Sequence, residues 1–474
     1  MSGGPSLALS AIWPAAQRVV VVGEMVYDLG IHNATLVSPR GRRRAHLYAS
    51  DGRIAAIGGE TLSAREVVDA DGLFLLPGSV DGHVHFQDPG DTTREDFVTG
   101  SSAAAVGGAT TVVEHTHSHP VRDPDLLRDK VEHLRQRSLI DFGLAAHAWP
   151  DRVGAVRELW QAGVTFFKVF TCTTHGVPGF DAGHLRSLFR AVAGFDGLCL
   201  IHCEDETITA EAERVLRSAG RADPAVIFEW RSREAELVAT SVVALLARLM
   251  GVRAIAAHVS QPAAADILER ERALGARLWL ETCPQYLYLY EDEILDHRGF
   301  RKFTPPARLR SEADAEEMWR RVARGPITHI STDHAPATRA QKSEGSIWDV
   351  HFGLPGVEMT LSLMLDGVAD GRLSLERVVE LLAETPARIY GLYPRKGSLD
   401  IGADADLVLV DVSAERTLED SAVVSKAGWT PYAGRRIRGR VVKTFSRGRL
   451  VARDGRALGE PGWGQFLPGP GWRG

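Results

Sequence analysis

From about residue 74 to residue 392, short apolar runs rich in β-branched and aromatic residues take turns with segments of helical pattern. No other feature limits the fold of this chain so strongly. The apolar runs fall at residues 73–86, 109–117, 141–149, 164–171, 197–205, 253–260, 276–284 and 326–335. Between them lie stretches such as "DPDLLRDKVEHLRQRS", "AAADILERERALG" and "DAEEMWRRVARG", several of which stop at glycine, as helices often do. Strands that alternate with helices are parallel strands joined by helical crossovers. Eight such units over roughly 300 residues fit an α/β fold of the (β/α)8 barrel type better than an open sheet.

The flanks have a different pattern. Residues 27–71 carry short strands split by turn signals at Asp51-Gly52 and Asp71-Gly72, and the pattern returns after residue 395 in "KGSLDIGADADLVLVDV" and "GRVVKTFSRGRLVARDGRA". A small β-sandwich domain built from both termini is the economical expectation. It divides the chain into residues 1–72, 73–395 and 396–474, the barrel being the middle part. The tail "LGEPGWGQFLPGPGWRG" reads as an irregular arm, available to pack on a neighbouring subunit.

Composition narrows the partners. A net charge of −6 gives no reason to expect nucleic acid or an anionic membrane. No apolar run reaches the ~18 residues of a membrane span. The N-terminus has no basic residue before Arg18 and reads poorly as a signal peptide. The four cysteines, at 172, 199, 203 and 283, form no CxxC pair and suit a reduced, cytoplasmic protein. They read as small buried hydrophobes.

Polar residues at the C-terminal ends of barrel strands face the mouth, where active sites of this architecture form. The first run ends in "PGSVDGHVHFQDPG", in which His83 and His85 lie two apart and so project from one face of a strand. Later runs bring Lys168 in "FFKVF", His202 in "LIHCED", His258 in "AAHVS" and Asp333 in "ISTDHAP". Any one histidine alone is an ordinary structural residue. Four histidines and an aspartate converging on one mouth make a ligand set for Zn²⁺ or a similar divalent ion. Lys168 sits among Val164, Phe166, Phe167, Val169 and Phe170, where desolvation makes its proton easily lost. Alone it would read as a snorkelling or salt-bridged lysine. A neutral amine can instead add CO₂, and the resulting carbamate is a carboxylate on an arm long enough to bridge two metal ions.

These motifs, with "EDFVTGSSAAAVGGATTVVE", "ETCPQYLYL", "GLPGVE" and "GLYPRKGSLDIGADADLV", make the chain resemble the amidohydrolase superfamily. The resemblance is to the cyclic amidohydrolase branch of hydantoinases (dihydropyrimidinases), allantoinases and dihydroorotases, and it covers nearly the whole chain. It implies that His83 and His85 hold the more buried of two divalent ions and His202 and His258 the other. It also implies that Lys168, as N6-carboxylysine, bridges them and that Asp333 completes the first site. Zinc is the expected ion, with Mn, Co or Fe open on the same ligands. A hydroxide between the ions would attack the cyclic amide of a small-molecule substrate, with Asp333 as catalytic proton carrier. The resemblance further implies a homotetramer or dimer.

On substrate the motifs divide. Dihydroorotases usually carry Arg two residues after the second histidine and Asn in a "MPNT"-like stretch; here Gln87 and His117 stand there. A neutral Gln supplies no bidentate charged fork, so dihydroorotate is disfavoured. Hydantoinases usually place Tyr five residues after the lysine and Ser before "PP"; here Thr173 and Thr304 stand there. Gln87, His117, Thr173 and Thr304 are therefore the candidate substrate contacts of a hydantoinase- or allantoinase-like hydrolase of a ureide or imide ring. Dihydroorotase is one alternative, and a mononuclear-metal deaminase on the same fold another. His115, His117 and His119 would share a face if the second strand extended through them, and residues 171–180, with Gly176 and Gly179 as hinges, read as a loop over the mouth.

Overall fold

The computed structural model describes residues 26–474, so the N-terminal segment considered above for signal character lies outside the described residues. The apolar runs become the strands of a parallel barrel. These are β1 Ser79–Val84, β2 Ala109–Glu114, β3 in two pieces (Asp141–Leu144 and Ala146–His147), β4 Phe167–Phe170, β5 Leu198–His202, β6 Arg253–Ala256, β7 Leu278–Thr282 and β8 His329–Ile330. Neighbours pair in parallel in chain order. The ring closes where Val84 bridges His334 and the His85 N–H donates to the His334 carbonyl at 2.8 Å.

The intervening helices start where side chains can satisfy their first N–H groups: Asp96, Asp123, Asp181, Asp205, Ser232 and Ser311 each accept from the first turn. Their apolar spacing decides which side packs on the barrel. Glu312–Arg324, for example, buries Ala315, Met318, Trp319 and Val322, at i, i+3, i+4 and i+7.

The run at 73–86 is not one strand. Phe74–Pro77 pairs parallel with Tyr27–Ser38 and antiparallel with Leu407–Thr417, whereas Ser79–Val84 opens the barrel. Gly78 is the joint: a Cβ there would lie 2.1 Å from Thr110 Oγ1, so only glycine lets the chain cross so closely. Through Phe74–Pro77 both ends of the chain enter one nine-stranded sheet. That sheet wraps a core of its own, with Ile31, Leu36, Leu47, Leu75, Leu407 and Phe445 inside.

A buried ion cluster ties this sheet to the barrel. Lys396 Nζ donates to Asp141 at 2.5 Å, to Asp406 at 2.7 Å and lies 2.9 Å from Asp404. Arg447 pairs with Asp141 and Arg395 with Asp404, so three cations face three carboxylates. The aspartates lie close enough to hold a metal, but the lysine ammonium already stands among them. Lys396→Met strips the central cation from buried carboxylates, and chemical denaturation should find the variant less stable by roughly 3–5 kcal/mol. A loss below about 1 kcal/mol would show that the two arginines suffice.

The C-terminal arm docks on the barrel of its own chain. Phe142 N–H donates to Gln465 O at 2.9 Å and Leu467 N–H to Phe142 O at 2.7 Å. Glycines permit the approach: a Cβ on Gly464 would meet Ile140 O at 2.0 Å, and one on Gly469 would meet Val164 O at 2.1 Å.

Candidate metal centre

The six residues expected as ligands all line one cavity at the C-terminal ends of the strands. Asp333 Oδ1 lies 3.2 Å from His83 Nε2 and 3.3 Å from His85 Nε2. Lys168 Nζ lies 3.1 Å from His83 Nε2. On the other side, His202 Nδ1 and His258 Nε2 approach to 2.9 Å.

What holds the imidazoles is as informative as their convergence. His83 donates from Nδ1 to Glu281 Oε1 at 2.7 Å, His85 from Nδ1 to the His115 carbonyl at 2.9 Å, and His202 from Nε2 to Glu204 Oε2 at 2.7 Å. Each ring thus has one nitrogen tied to an acceptor and the other turned toward the centre. That is how metal-ligating histidines are fixed in tautomer and direction. His258 adds a buried Nδ1 with no partner among the described residues. Both His258 (φ +39°) and Asp333 (φ +49°) adopt left-handed backbone, a strained state for side-chain-bearing residues that the surrounding structure must enforce.

Charge states agree with a cation site. Burial pulls His85 down to about 4, the Asp333 contact only partly opposing it, and burial takes His258 well below the ordinary histidine range. Burial would raise the Asp333 carboxyl, but His83, His85 and His258 outweigh it and hold the group far below the usual range. Bare imidazoles beside an ionised carboxylate are the states that ligation requires. His202 differs: burial lowers it, yet Cys172 and Glu204 more than offset this and set it at about 9, so an ion at Nδ1 must displace a proton. Lys168, fully buried, falls to about 8 despite the pull of Asp333 and Glu281. The donor set and its outer partners fit divalent ions.

Of the four candidate substrate contacts, His117 and Thr304 line the cavity and two do not. Thr173 is exposed, its N–H held by Glu206; its neighbour Thr174 lines the cavity instead. Gln87, at φ +59°, turns its side chain aside, where Oε1 accepts from Ser118 Oγ at 3.0 Å. Strand β2 ends at Glu114, so the three alternating histidines do not share a strand face: His115 is buried, His117 enters the cavity and His119 stays outside it.

Several neighbours carried no expectation. His147, at the end of β3, stands 3.2 Å from His117 Nδ1, and His175, from the loop over the mouth, stacks on His117 with centroids 4.5 Å apart. His147 ends "DFGLAAH" as His202 ends "LCLIH", so its position at a strand end was the available signal. Glu204 also binds Thr304 Oγ1 at 2.6 Å and faces Arg231 at 3.3 Å, and Arg231 reaches Thr174 in the loop at 3.1 Å. Glu204 sits two residues from His202, but nothing local marks Arg231 or Glu281.

The sequence profile of the amidohydrolase family matches residues 74–451. The L-hydantoinase of Paenarthrobacter aurescens is 33% identical over 453 residues, covering 93% of this chain and 98% of that protein. The allantoinase of Rubrobacter xylanophilus is 35% identical over 448 residues, covering 93% and 97%. Among solved structures, the L-hydantoinase (dihydropyrimidinase) from Arthrobacter aurescens superposes with a TM-score of 0.89 at 32% identity, over 94% of this chain and all of that one.

Proposed function

This chain belongs to the amidohydrolase family, and within it we propose a hydrolase that opens the ring of a neutral ureide or imide, hydantoin- or allantoin-like. Membership of the cyclic amidohydrolase branch makes it a metal-dependent cyclic amide hydrolase. The finer assignments are ours: His83, His85, Lys168 and Asp333 hold one ion, His202 and His258 the other, with Lys168 carboxylated to bridge them and zinc as the ion. One observation carries the reading: six side chains from five strands or strand ends line a single cavity, three of the imidazoles tied from behind so that their other nitrogen faces inward.

Divalent ions held there supply a water acidified toward neutrality and a polarised carbonyl. Asp333 accepts the proton of that water as its oxygen adds to the ring carbonyl carbon. The same carboxyl returns the proton to the ring nitrogen as the C–N bond breaks, leaving a freed N–H group and a carboxylic acid, which loses its proton to solvent. His117 and Thr304, on the cavity wall, orient the ring.

Phe170, Phe352 and Ala335 form the apolar part of the wall, and no arginine is among the described residues that line it. A ring bearing its own carboxylate therefore finds no guanidinium fork there, and Gln87 offers none. In a panel of allantoin, hydantoin, 5-substituted hydantoins, dihydrouracil, succinimide, glutarimide and dihydroorotate, run with bicarbonate and divalent metal, dihydroorotate should be poorest. We expect at least a ~100-fold gap to the best substrate, the order of ~3 kcal/mol for a buried unpaired charge. Efficient dihydroorotate turnover would overturn this reading of the wall. A content of one ion per chain would favour a deaminase.

The four cysteines are buried and unpaired, which supports the cytoplasmic setting we assign, and no helix among the described residues is long and apolar enough to cross a membrane. We further assign domain limits at residues 72/73 and 395/396 and a homotetrameric or dimeric assembly, as the motifs imply.

A further inference from the structure

We propose that His115 is an additional ligand of the ion held by His83 and His85, so that this half of the centre is complete before Lys168 is carboxylated. The inference rests on the metal-centre reading above and adds a residue to it. One ring nitrogen each from His83, His85 and His115 can be chosen so that all three lie within 4.8 Å of one another. Two nitrogens bound to one zinc at 2.0–2.1 Å lie at most about 4 Å apart, so small shifts close the site. The His115 ring centroid stands 4.7 Å from that of His83 and 4.4 Å from that of His85.

His115 is 1% exposed, and among the described residues neither of its ring nitrogens has a hydrogen-bond partner. Two orphaned polar atoms in a fully enclosed ring are costly, and an apolar side chain of similar size would fill the space without that cost. The residue is also fixed in place. Its N–H donates to the Val84 carbonyl at 3.1 Å, while its carbonyl accepts from His85 Nδ1 at 2.9 Å. The β1–β2 pairing that sets His85 therefore sets His115 as well. Three imidazoles with the Asp333 carboxylate make a four-ligand N₃O set, which zinc accepts without a carbamate.

The test uses the full-length chain stripped of metal, loaded stepwise with Zn²⁺ in CO₂-free buffer and again with bicarbonate, and read by bound metal per chain. Wild type should bind one ion tightly without CO₂ and a second only after bicarbonate is added. His115→Met should weaken the CO₂-independent ion by about 100-fold or more, beyond the 10–100-fold effect of an outer-shell contact. It should still take up two ions with bicarbonate, which also shows that the variant is folded. With Co²⁺ in place of Zn²⁺, the visible d–d spectrum of the first ion should change in His115→Met and in the polar variant His115→Gln. A wild type that binds no ion without CO₂, or a His115→Met variant matching wild type in both affinity and spectrum, overturns the role of His115 and leaves the centre intact. A wild type unable to bind two ions even with bicarbonate overturns the centre itself, and this inference with it.

Discussion

Asp333→Asn should retain its fold and its metal yet lose turnover, with kcat falling by about 10⁴-fold, the upper end of what one positioned proton carrier contributes. The substitution keeps an oxygen for ligation at a nearly unchanged shape but removes the carboxylate that can receive a proton. Asp333 has the right character for that task. It is enclosed, held ionised by three surrounding imidazoles, and its Oδ1 sits 3.2 and 3.3 Å from the Nε2 atoms of His83 and His85. The decisive comparison sets metal content against kcat. Near-normal metal with near-zero turnover supports proton transfer by Asp333. Proportional loss of both reduces the residue to a ligand, and a fall in kcat of under tenfold removes it from the chemistry.

Lys168→Ala should have the second large effect: loss of the paired centre, down to about one ion per chain, with activity reduced to background. The lysine amine is fully buried between apolar β4 neighbours, 3.1 Å from His83 Nε2, and burial lowers it to about 8. An ammonium there would repel a divalent ion, whereas a carbamate would attract two. Truncation leaves a cavity shaped for a small carboxylate, so acetate or propionate should restore part of both the second ion and the activity. Metal content and rate measured across a series of short acids would check this. Full activity of the alanine variant without any acid would remove the carbamate from the account.

The barrel and the six residues gathered in its cavity were legible in the sequence because the signals are local. His83 and His85 show themselves by a spacing of two at a strand end, and Lys168 by the apolar residues around it. Asp333 and His258 sit just beyond short strands, in positions the alternation itself locates. Pro77-Gly78 inside the first run was a visible break, and it marks where the strand leaves one sheet for the other. What could not be read depends on the third dimension. Glu281 reaches His83 across 198 residues of chain, and Arg231 meets Glu204 through packing that no periodicity encodes. Thr173 and Thr174 differ by one position in a loop closed by reciprocal bonds between Thr174 and Val177, and that turn, not the strand, decides which one faces the cavity. The positive φ of Gln87 turns its side chain toward Ser118 in the same way.

Crystals of the protein grown with zinc and bicarbonate, and measured with anomalous scattering at the zinc edge, test the central claim most directly. The account predicts two zinc peaks per chain in the cavity shared by His83, His85, His202, His258 and Asp333, with continuous density for a carboxyl group on Lys168 Nζ between them. A single peak, or two peaks with a bare Lys168 amine turned away from both, would contradict it.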